Sequence, residues 1–368
     1  NGRFKGILID DSTLVKSLAV LENGDLAGGY VDGLIRIWNI SAYMGKKENN
    51  EMAPNICYCG IRRTLDGHSE EVRALALLDN GDLASGSGDR TIKIWNTNNG
   101  KEKMTYRGHS DRVSSLALLN NGDLVSGSYD NTSIIWNRNG SVKLTLTGHK
   151  NWIYSLAVLD NGDLASGSGD KTIKIWNTID GSLRKNLTGH SGWIWSLAVL
   201  KNGDLASGSG DNTTRIWNTN NGKLKRTLVG HSDWVWSLAV LNNGDLASGS
   251  YDKTIKIWNT TDGTLKMNLT GHSHRVSSLA VLENGDLVSG SYDNTIKIWN
   301  TTDWSLKKTL TGHSGWVSSF AALKNGDFAS GSGDASIYIW DPNDGCRQIN
   351  LNAHSGLILS ITVLILLF

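Results

Sequence analysis

Proline is nearly absent from this chain, which holds only Pro54 and Pro342 in 368 residues. Its turns must therefore be made by Gly, Asn and Asp, and its strands keep their backbone donors. Cysteine is also scarce. Cys57, Cys59 and Cys346 are too few for a disulfide framework, and Cys57-Tyr58-Cys59 lacks the spacing and companion ligands of a zinc site. A reducing, cytoplasmic setting is expected. Neither sign of charge dominates, with 36 Lys plus Arg against 35 Asp plus Glu. That balance gives no electrostatic footprint for nucleic acid or an anionic membrane. Long apolar runs are missing as well: the stretch 357–368 falls far short of the roughly 20 residues of a spanning helix. No signal peptide and no Met open the sequence, so a segment of a longer protein is expected. Sequons such as Asn186 with Thr188 and Asn259 with Thr261 fall in repeated turns and carry no argument for secretion.

What the chain does contain is repetition. Gly-His recurs with its histidine at 68, 109, 149, 190, 231, 272 and 313, at steps of 41 or 40 residues. Within each unit a Ser-Gly-Ser segment precedes Asp, and an Ile-rich segment ends in Trp. Eight such tryptophans, Trp38, Trp95, Trp136, Trp176, Trp217, Trp258, Trp299 and Trp340, are each followed by Asn or Asp. A period of about 40 to 45 residues with these signatures is a propeller signal.

The unit beginning at His149 shows how a blade is encoded. Residues 152–159 alternate and end in Asn161-Gly162-Asp163, a turn that tolerates positive φ. Small residues follow in 163–168, suited to close approach by a neighbouring sheet. Gly169-Asp170 turns into 171–176, whose Thr172, Ile173 and Ile175 favour a strand, and 182–187 supplies a fourth. One such sheet cannot bury both faces, whereas a closed ring of sheets can. The expected fold is all-β, a single closed β-propeller over 1–368 made of four-stranded antiparallel blades, eight by the tryptophan count.

These residues resemble the WD-repeat (Trp-Asp) β-propellers over nearly the whole chain. The resemblance implies a hydrogen-bonded set of His, Ser, Asp and Trp inside each blade. The matching sets are His68, Ser85, Asp89, Trp95; His109, Ser126, Asp130, Trp136; His149, Ser166, Asp170, Trp176; and His190, Ser207, Asp211, Trp217. Three more are His231, Ser248, Asp252, Trp258; His272, Ser289, Asp293, Trp299; and His313, Ser330, Asp334, Trp340. Seven near-identical copies argue for structural braces and against a nucleophilic triad, which needs one oriented nucleophile in an accessible pocket.

The first unit departs from the pattern, with Asp11 in place of histidine and Gly28 in place of serine. Its brace is expected to be absent, and Asp11 and Asp32 would repel if they approach, unless one is protonated or a cation bridges them, so it is expected to be the weakest blade. Residues 41–60 read as a polar surface loop inserted in that blade, and 353–368 as an extra C-terminal strand. A monomer is expected, with domain swapping through that strand as the alternative.

Because the units are so alike, the positions where they differ are informative. Three residues past each histidine stand Glu71, Arg112, Trp152, Trp193, Trp234, Arg275 and Trp316; five past stand Arg73, Ser114, Tyr154, Trp195, Trp236, Ser277 and Ser318. The residue before the brace aspartate is Gly or one of Tyr129, Tyr251 and Tyr292. Of 15 tryptophans, eight end the Ile-rich segments and six of the others fall at these positions, Trp304 being the exception. An aromatic crescent flanked by arginine at the channel mouth is expected, built from Arg73, Arg112, Tyr129, Trp152, Tyr154, Trp193, Trp195, Trp234, Trp236, Tyr251, Arg275, Tyr292 and Trp316. WD-repeat propellers use that face for partners, so the resemblance implies a non-catalytic scaffold that binds a protein or peptide without a cofactor, metal or membrane. Trp, Tyr and Arg are the residues enriched in binding hot spots. A small-molecule or glycan-binding propeller is the alternative, and a propeller enzyme the less favoured third. Uniform units with a variable rim also look like the sensor propellers of NTPase receptors, although no P-loop is present.

Overall fold

The computed structural model describes residues 15–38, 61–323, 326–334, 336–342 and 349–352. Asp11, the insertion at 41–60 and the strand expected at 353–368 lie outside the described residues. Within them the strands form eight four-stranded antiparallel sheets in simple meander order. The first comprises Val15–Val20, Leu26–Tyr30, Ile35–Trp38 and Ile61–Leu65. The fourth, from the unit read above, comprises Ile153–Val158, Leu164–Ser168, Ile173–Trp176 and Leu183–Leu187.

Burial runs from the inside outwards. In the second to seventh sheets the second and third strands are largely buried, while the fourth is mostly exposed, as in the exposed, exposed, half-buried, exposed, buried series of Leu183–Leu187. Core clusters lie between sheets and not within them. One joins Ala74, Ile92 and Tyr106 of the second sheet to Val113, Leu116 and Trp136 of the third. Another joins Val15, Leu18 and Tyr30 to Ala321, Leu323 and Ala329, so the first sheet packs on the last and the ring closes.

A glycine in the second strand of each sheet makes this approach possible. A Cβ on Gly127 would sit 2.7 Å from Ile153 of the next sheet, and one on Gly167 would sit 2.7 Å from Ile194. The same relation runs around the ring to Gly331, where a Cβ would meet Val15 at 3.3 Å. At these points the glycine is required by its lack of a side chain, whatever its φ.

Two turn features follow from the scarcity of proline. Gly162 adopts φ +82°, as the Asn-Gly-Asp turn demands. Trp304 has φ +64° and bonds its N–H to Asn300, where Gly181 occupies the matching place with φ +74°. An aromatic residue in this left-handed region is strained, and its ring packs against the cluster of Leu269, Val276 and Trp299.

A second tie crosses six of the sheets. Asp163 of Asn161-Gly162-Asp163 is buried and pairs with Arg184 of the outer strand at 2.9 Å. Lys103 with Asp82, Lys143 with Asp123, Lys225 with Asp204, Lys266 with Asp245 and Lys307 with Asp286 repeat it at 2.6–2.7 Å. The aspartate thus anchors the outermost strand as well as making a turn.

Gly127→Ala should overpack the junction with Ile153 and lower stability by about 1–3 kcal/mol, while Gly331→Ala, whose methyl would meet the Ser319 hydroxyl of its own sheet at 2.6 Å but Val15 of the next sheet only at 3.3 Å, should cost less, because a hydroxyl can turn aside where a branched side chain between sheets cannot. Urea unfolding of the two variants beside the parent chain measures the difference; equal losses would refute the close-approach account.

Candidate partner-binding rim

The rim is positioned by a buried relay that recurs in seven sheets. In the fourth sheet the Trp176 indole N–H donates to Ser166 Oγ at 2.9 Å, Ser166 Oγ lies 2.8 Å from His149 Nε2, and His149 Nδ1 lies 2.8 Å from Asp170. The other six match within narrow limits: 2.7–2.9 Å for Trp to Ser, 2.7–2.8 Å for Ser to His and 2.7–3.0 Å for His to Asp. An ionised carboxylate only accepts, so Nδ1 donates; in the neutral ring Nε2 then accepts from the serine hydroxyl. The hydrogen bonds run one way, from Trp through Ser and His to Asp. Ser166 is 0% exposed, so no substrate reaches its hydroxyl.

The aspartate is the hub of this arrangement. Asp170 accepts from the backbone N–H of Lys150 and Thr172, and from the Thr172 hydroxyl at 2.7 Å. Thr91, Thr132, Thr213, Thr254 and Thr295 do the same. These threonines belong to the brace, and their recurrence two residues after the aspartate is the sequence signal for it. Burial raises the Asp170 pKa, but the bonds from His149 and Thr172 outweigh it and hold the carboxyl well below the usual range. The same balance holds at Asp89, Asp130, Asp211, Asp252 and Asp293. His190 differs in a useful way: burial, with Arg215 nearby, lowers its pKa against the pull of Asp211.

In the first sheet, where Gly28 offers no hydroxyl, Asp32 instead pairs with Arg36 at 3.1 Å and accepts the Leu34 N–H. The repulsion expected between Asp11 and Asp32 involves a residue outside those described.

Backbone hydrogen bonds bring the variable positions together. The N–H of Gly169, before the brace aspartate, donates to the Trp152 carbonyl at 2.9 Å; Gly210 to Trp193, Tyr251 to Trp234, Tyr129 to Arg112, Tyr292 to Arg275 and Gly333 to Trp316 repeat the bond. Each inner strand is also bulged at one residue. The register shifts between Ile153 and Ser155, Ile194 and Ser196, and Val235 and Ser237 fall on Tyr154, Trp195 and Trp236. Those in the first and second sheets fall on Lys16 and Arg73, and those in the third, seventh and eighth on Ser114, Ser277 and Ser318. A bulge takes a residue out of the ladder and re-aims its side chain. The position five past each histidine can therefore vary freely. Two of the serines there stitch neighbouring sheets together, Ser114 donating to the Ile153 carbonyl at 2.5 Å and Ser277 to the Val317 carbonyl, while Ser318 donates to Gly331 of its own sheet at 3.0 Å.

The predicted aromatic residues form one continuous run. Tyr129 stacks on Trp152 at 4.4 Å, Tyr154 lies 4.6 Å from Trp195, Trp195 lies 4.3 Å from Trp236, Trp236 stacks on Tyr251 at 5.0 Å, and Tyr292 stacks on Trp316 at 4.5 Å. Tyr251 and Tyr292 link the two parts at 6.2 Å. Arg73 lies over Tyr129 at 5.0 Å and Arg275 over Tyr251 at 4.3 Å. Arg73 is buried and Arg112 exposed. Trp152, Trp193 and Trp234 stand out at 41%, 39% and 39% exposure, whereas Tyr154 and Tyr251 are buried supports beneath them. Burial raises the pKa of both tyrosines, so their hydroxyls stay protonated.

The family profile described as "WD domain, G-beta repeat" matches residues 60–96, 100–137, 140–177, 181–218, 222–259, 263–300 and 304–341. This chain belongs to the WD-repeat family. The expected eight blades are corrected to seven WD-repeat blades. Trp38 ends the third strand of a sheet whose inner strands, 15–38, precede every matched segment, and its outer strand, Ile61–Leu65, comes from the first matched repeat. The physical reason is the missing brace: tryptophan marks a sheet here, but without the histidine and serine that sheet is not a WD repeat.

The chain is 34% identical over 85 residues to the ribosome biogenesis protein YTM1 of Vanderwaltozyma polyspora, which covers 23% of this chain and 15% of that protein. It is 40% identical over 76 residues to mitochondrial division protein 1 of Eremothecium gossypii, covering 21% and 10%. Among solved structures it is similar to the computationally designed Ika8 protein, with TM-score 0.77, 31% identity, and coverage of 89% of this chain and 96% of that one. The matches to YTM1 and mitochondrial division protein 1 thus span a small part of those proteins' length. Among the described residues, no helix is long and apolar enough to cross a membrane.

Ser166→Ala should remove the partner of both Trp176 and His149 and cost about 1–3 kcal/mol in thermal or urea unfolding. Acid should act in two stages. The depressed His190 pKa contributes stability that is present above about 6.5 and is lost as pH falls below it, and the six depressed aspartates contribute stability lost further below about 3.9. Unfolding free energy measured across pH 2–8 should fall in that order, and His190→Gln should remove the first decline.

Proposed function

We propose that this propeller is a non-catalytic recognition scaffold that holds a protein or peptide partner on its aromatic rim. The observation that carries the reading is the contrast between an invariant frame and a varied rim. The braces repeat almost atom for atom, while the entry position, three past the brace histidine, and the bulge position, five past it, carry Trp, Tyr, Arg, Glu or Ser, with Lys16 at the bulge of the first sheet. Three tryptophans at equivalent places in consecutive sheets are each about two-fifths exposed and backed by buried tyrosines. Large aromatic side chains that lose little conformational freedom on binding are suited to hot spots.

The relatives support such a role. Their names concern ribosome biogenesis and mitochondrial division, and a domain shared by proteins of such different purpose fits a module that holds partners better than one that carries out a reaction. Intracellular residence remains part of the proposal, in keeping with the few cysteines.

The test is capture from source-cell lysate by the parent chain and by Trp193→Ala/Trp234→Ala, with circular dichroism confirming that both are folded. A partner recovered by the parent should be lost, or weakened by about a hundredfold or more, in the variant. Equal recovery would place binding away from the rim.

A further inference from the structure

On the first three sheets the aromatic run gives way to charge. Lys16 and Arg73 occupy the bulge positions of the first and second inner strands, and Arg112 occupies the entry position of the third. All three converge on one carboxylate. Glu71 receives Lys16 Nζ at 3.1 Å and Arg112 Nη1 at 3.4 Å, and it is also paired with the Arg73 guanidinium. Lys16 is 3% exposed and Arg73 5%. The neighbouring carboxylate of Glu70 lies over Gly88 and pairs with none of the three.

Three cations around one anion leave two positive charges in excess, two of the three cations being almost wholly buried. Charges withdrawn from water without a full complement of partners are costly, and an anion arriving at this sector relieves that cost. Burial lowers the Lys16 pKa, Arg73 and Arg112 lower it further, and Glu71 opposes them. That balance is what an incomplete cluster produces.

Tyr129 joins this sector to the aromatic run. Its hydroxyl accepts a hydrogen bond from Arg73 Nη1 at 3.0 Å, while its ring stacks on Trp152. A ligand resting on Trp152 therefore has the cationic sector directly beside it.

We infer that the partner held on the rim is a peptide segment with an acidic side chain next to an aromatic or bulky apolar one: the apolar residue lies on Trp152 and its neighbours, and the anionic group completes the cluster of Lys16, Arg73 and Arg112. This inference rests on the reading of the rim as the binding surface. The anion can be a carboxylate or a phosphate, since both offer the oxygen acceptors that ammonium and guanidinium groups require.

The experiment is selection of a displayed library of random peptides on the parent chain, followed by titration of the best synthetic peptide. The expected result is enrichment of Asp or Glu beside an aromatic or apolar residue. Replacing that acidic residue by Gln should weaken binding about ten- to a hundredfold, and raised salt should weaken the acidic peptide more than the Gln form. A phosphoserine form binding more tightly than the acidic form would identify phosphate as the source of the anion; the reverse order would identify carboxylate. Arg112→Ala, at an exposed position where folding is not at stake, and Lys16→Met should each shrink the difference between acidic and Gln peptides. Selected peptides without acidic enrichment, or equal affinity of the acidic and Gln forms, would overturn the inference while leaving the rim in place. Enrichment of the same peptides on Trp152→Ala/Trp193→Ala, which removes the exposed aromatic surface beside the cationic sector, would instead overturn the rim reading itself.

Discussion

The serine hydroxyl between tryptophan and histidine is the contact on which the rest of this structure depends. It accepts the indole N–H and faces histidine Nε2, so one buried oxygen connects the end of the third strand, the middle of the second and the segment entering the sheet. Each such bond is worth only about 1 kcal/mol net, but leaving its buried partners unsatisfied costs about 1–3 kcal/mol. The relay therefore enforces one arrangement more than it adds raw stability. Its terminal aspartate fixes the turn, and the turn's neighbouring N–H bonds to the carbonyl of the first rim residue. Side chains at the rim thus hang from a backbone that other residues hold in place.

The bulges complete this separation. A residue in a regular ladder faces a neighbouring sheet and is constrained by close packing, as the glycines facing Ile153 and Ile194 are. A bulged residue leaves the ladder and its side chain is re-aimed, so residues as different as Lys16, Arg73, Ser114, Tyr154, Trp195, Trp236, Ser277 and Ser318 occupy equivalent places. The aromatic ones then support one another. Offset and edge-to-face ring pairs contribute about 0.5–1.5 kcal/mol beyond area burial, so the run from Tyr129 to Trp316 is organised before any partner arrives. Charge closes the other side of the ring, through Glu71 and its three cations.

Much of this was legible in the sequence because a 41-residue period reports every strand and turn many times over. Strand order and turn chemistry follow from a single unit read with care, the aromatic positions from comparing the units, and the brace quartets from the resemblance to the WD-repeat family. Contacts between units are less legible. Nothing in the spacing shows that Lys16 and Arg112 share Glu71, because the three residues are brought together only by the curvature of the ring. The bulges are also silent in the residue pattern: Val-Trp-Ser-Leu reads as ordinary alternation. The tie from Asp163 to Arg184 was open to view, since an acidic residue recurs with a basic one 20 or 21 residues later, but an Asn-Gly-Asp turn accounts for the aspartate without it. The repeat count shows the opposite error. Trp38 carries the most conspicuous mark of a unit while Gly28 lacks the hydroxyl that the mark depends on.

The central claim is that frame and rim are separable, and amide and indole hydrogen exchange followed by NMR tests it most directly. In the parent chain the indole N–H groups of Trp95, Trp136, Trp176, Trp217, Trp258, Trp299 and Trp340 should exchange slowly, through large-scale opening, while those of the exposed Trp193 and Trp234 exchange fast. In Trp193→Ala/Trp234→Ala the seven slow indoles should keep their protection. Loss of protection at Trp217 and Trp258, in the two sheets that carried the replaced residues, would show that the rim holds up the frame and would contradict the account.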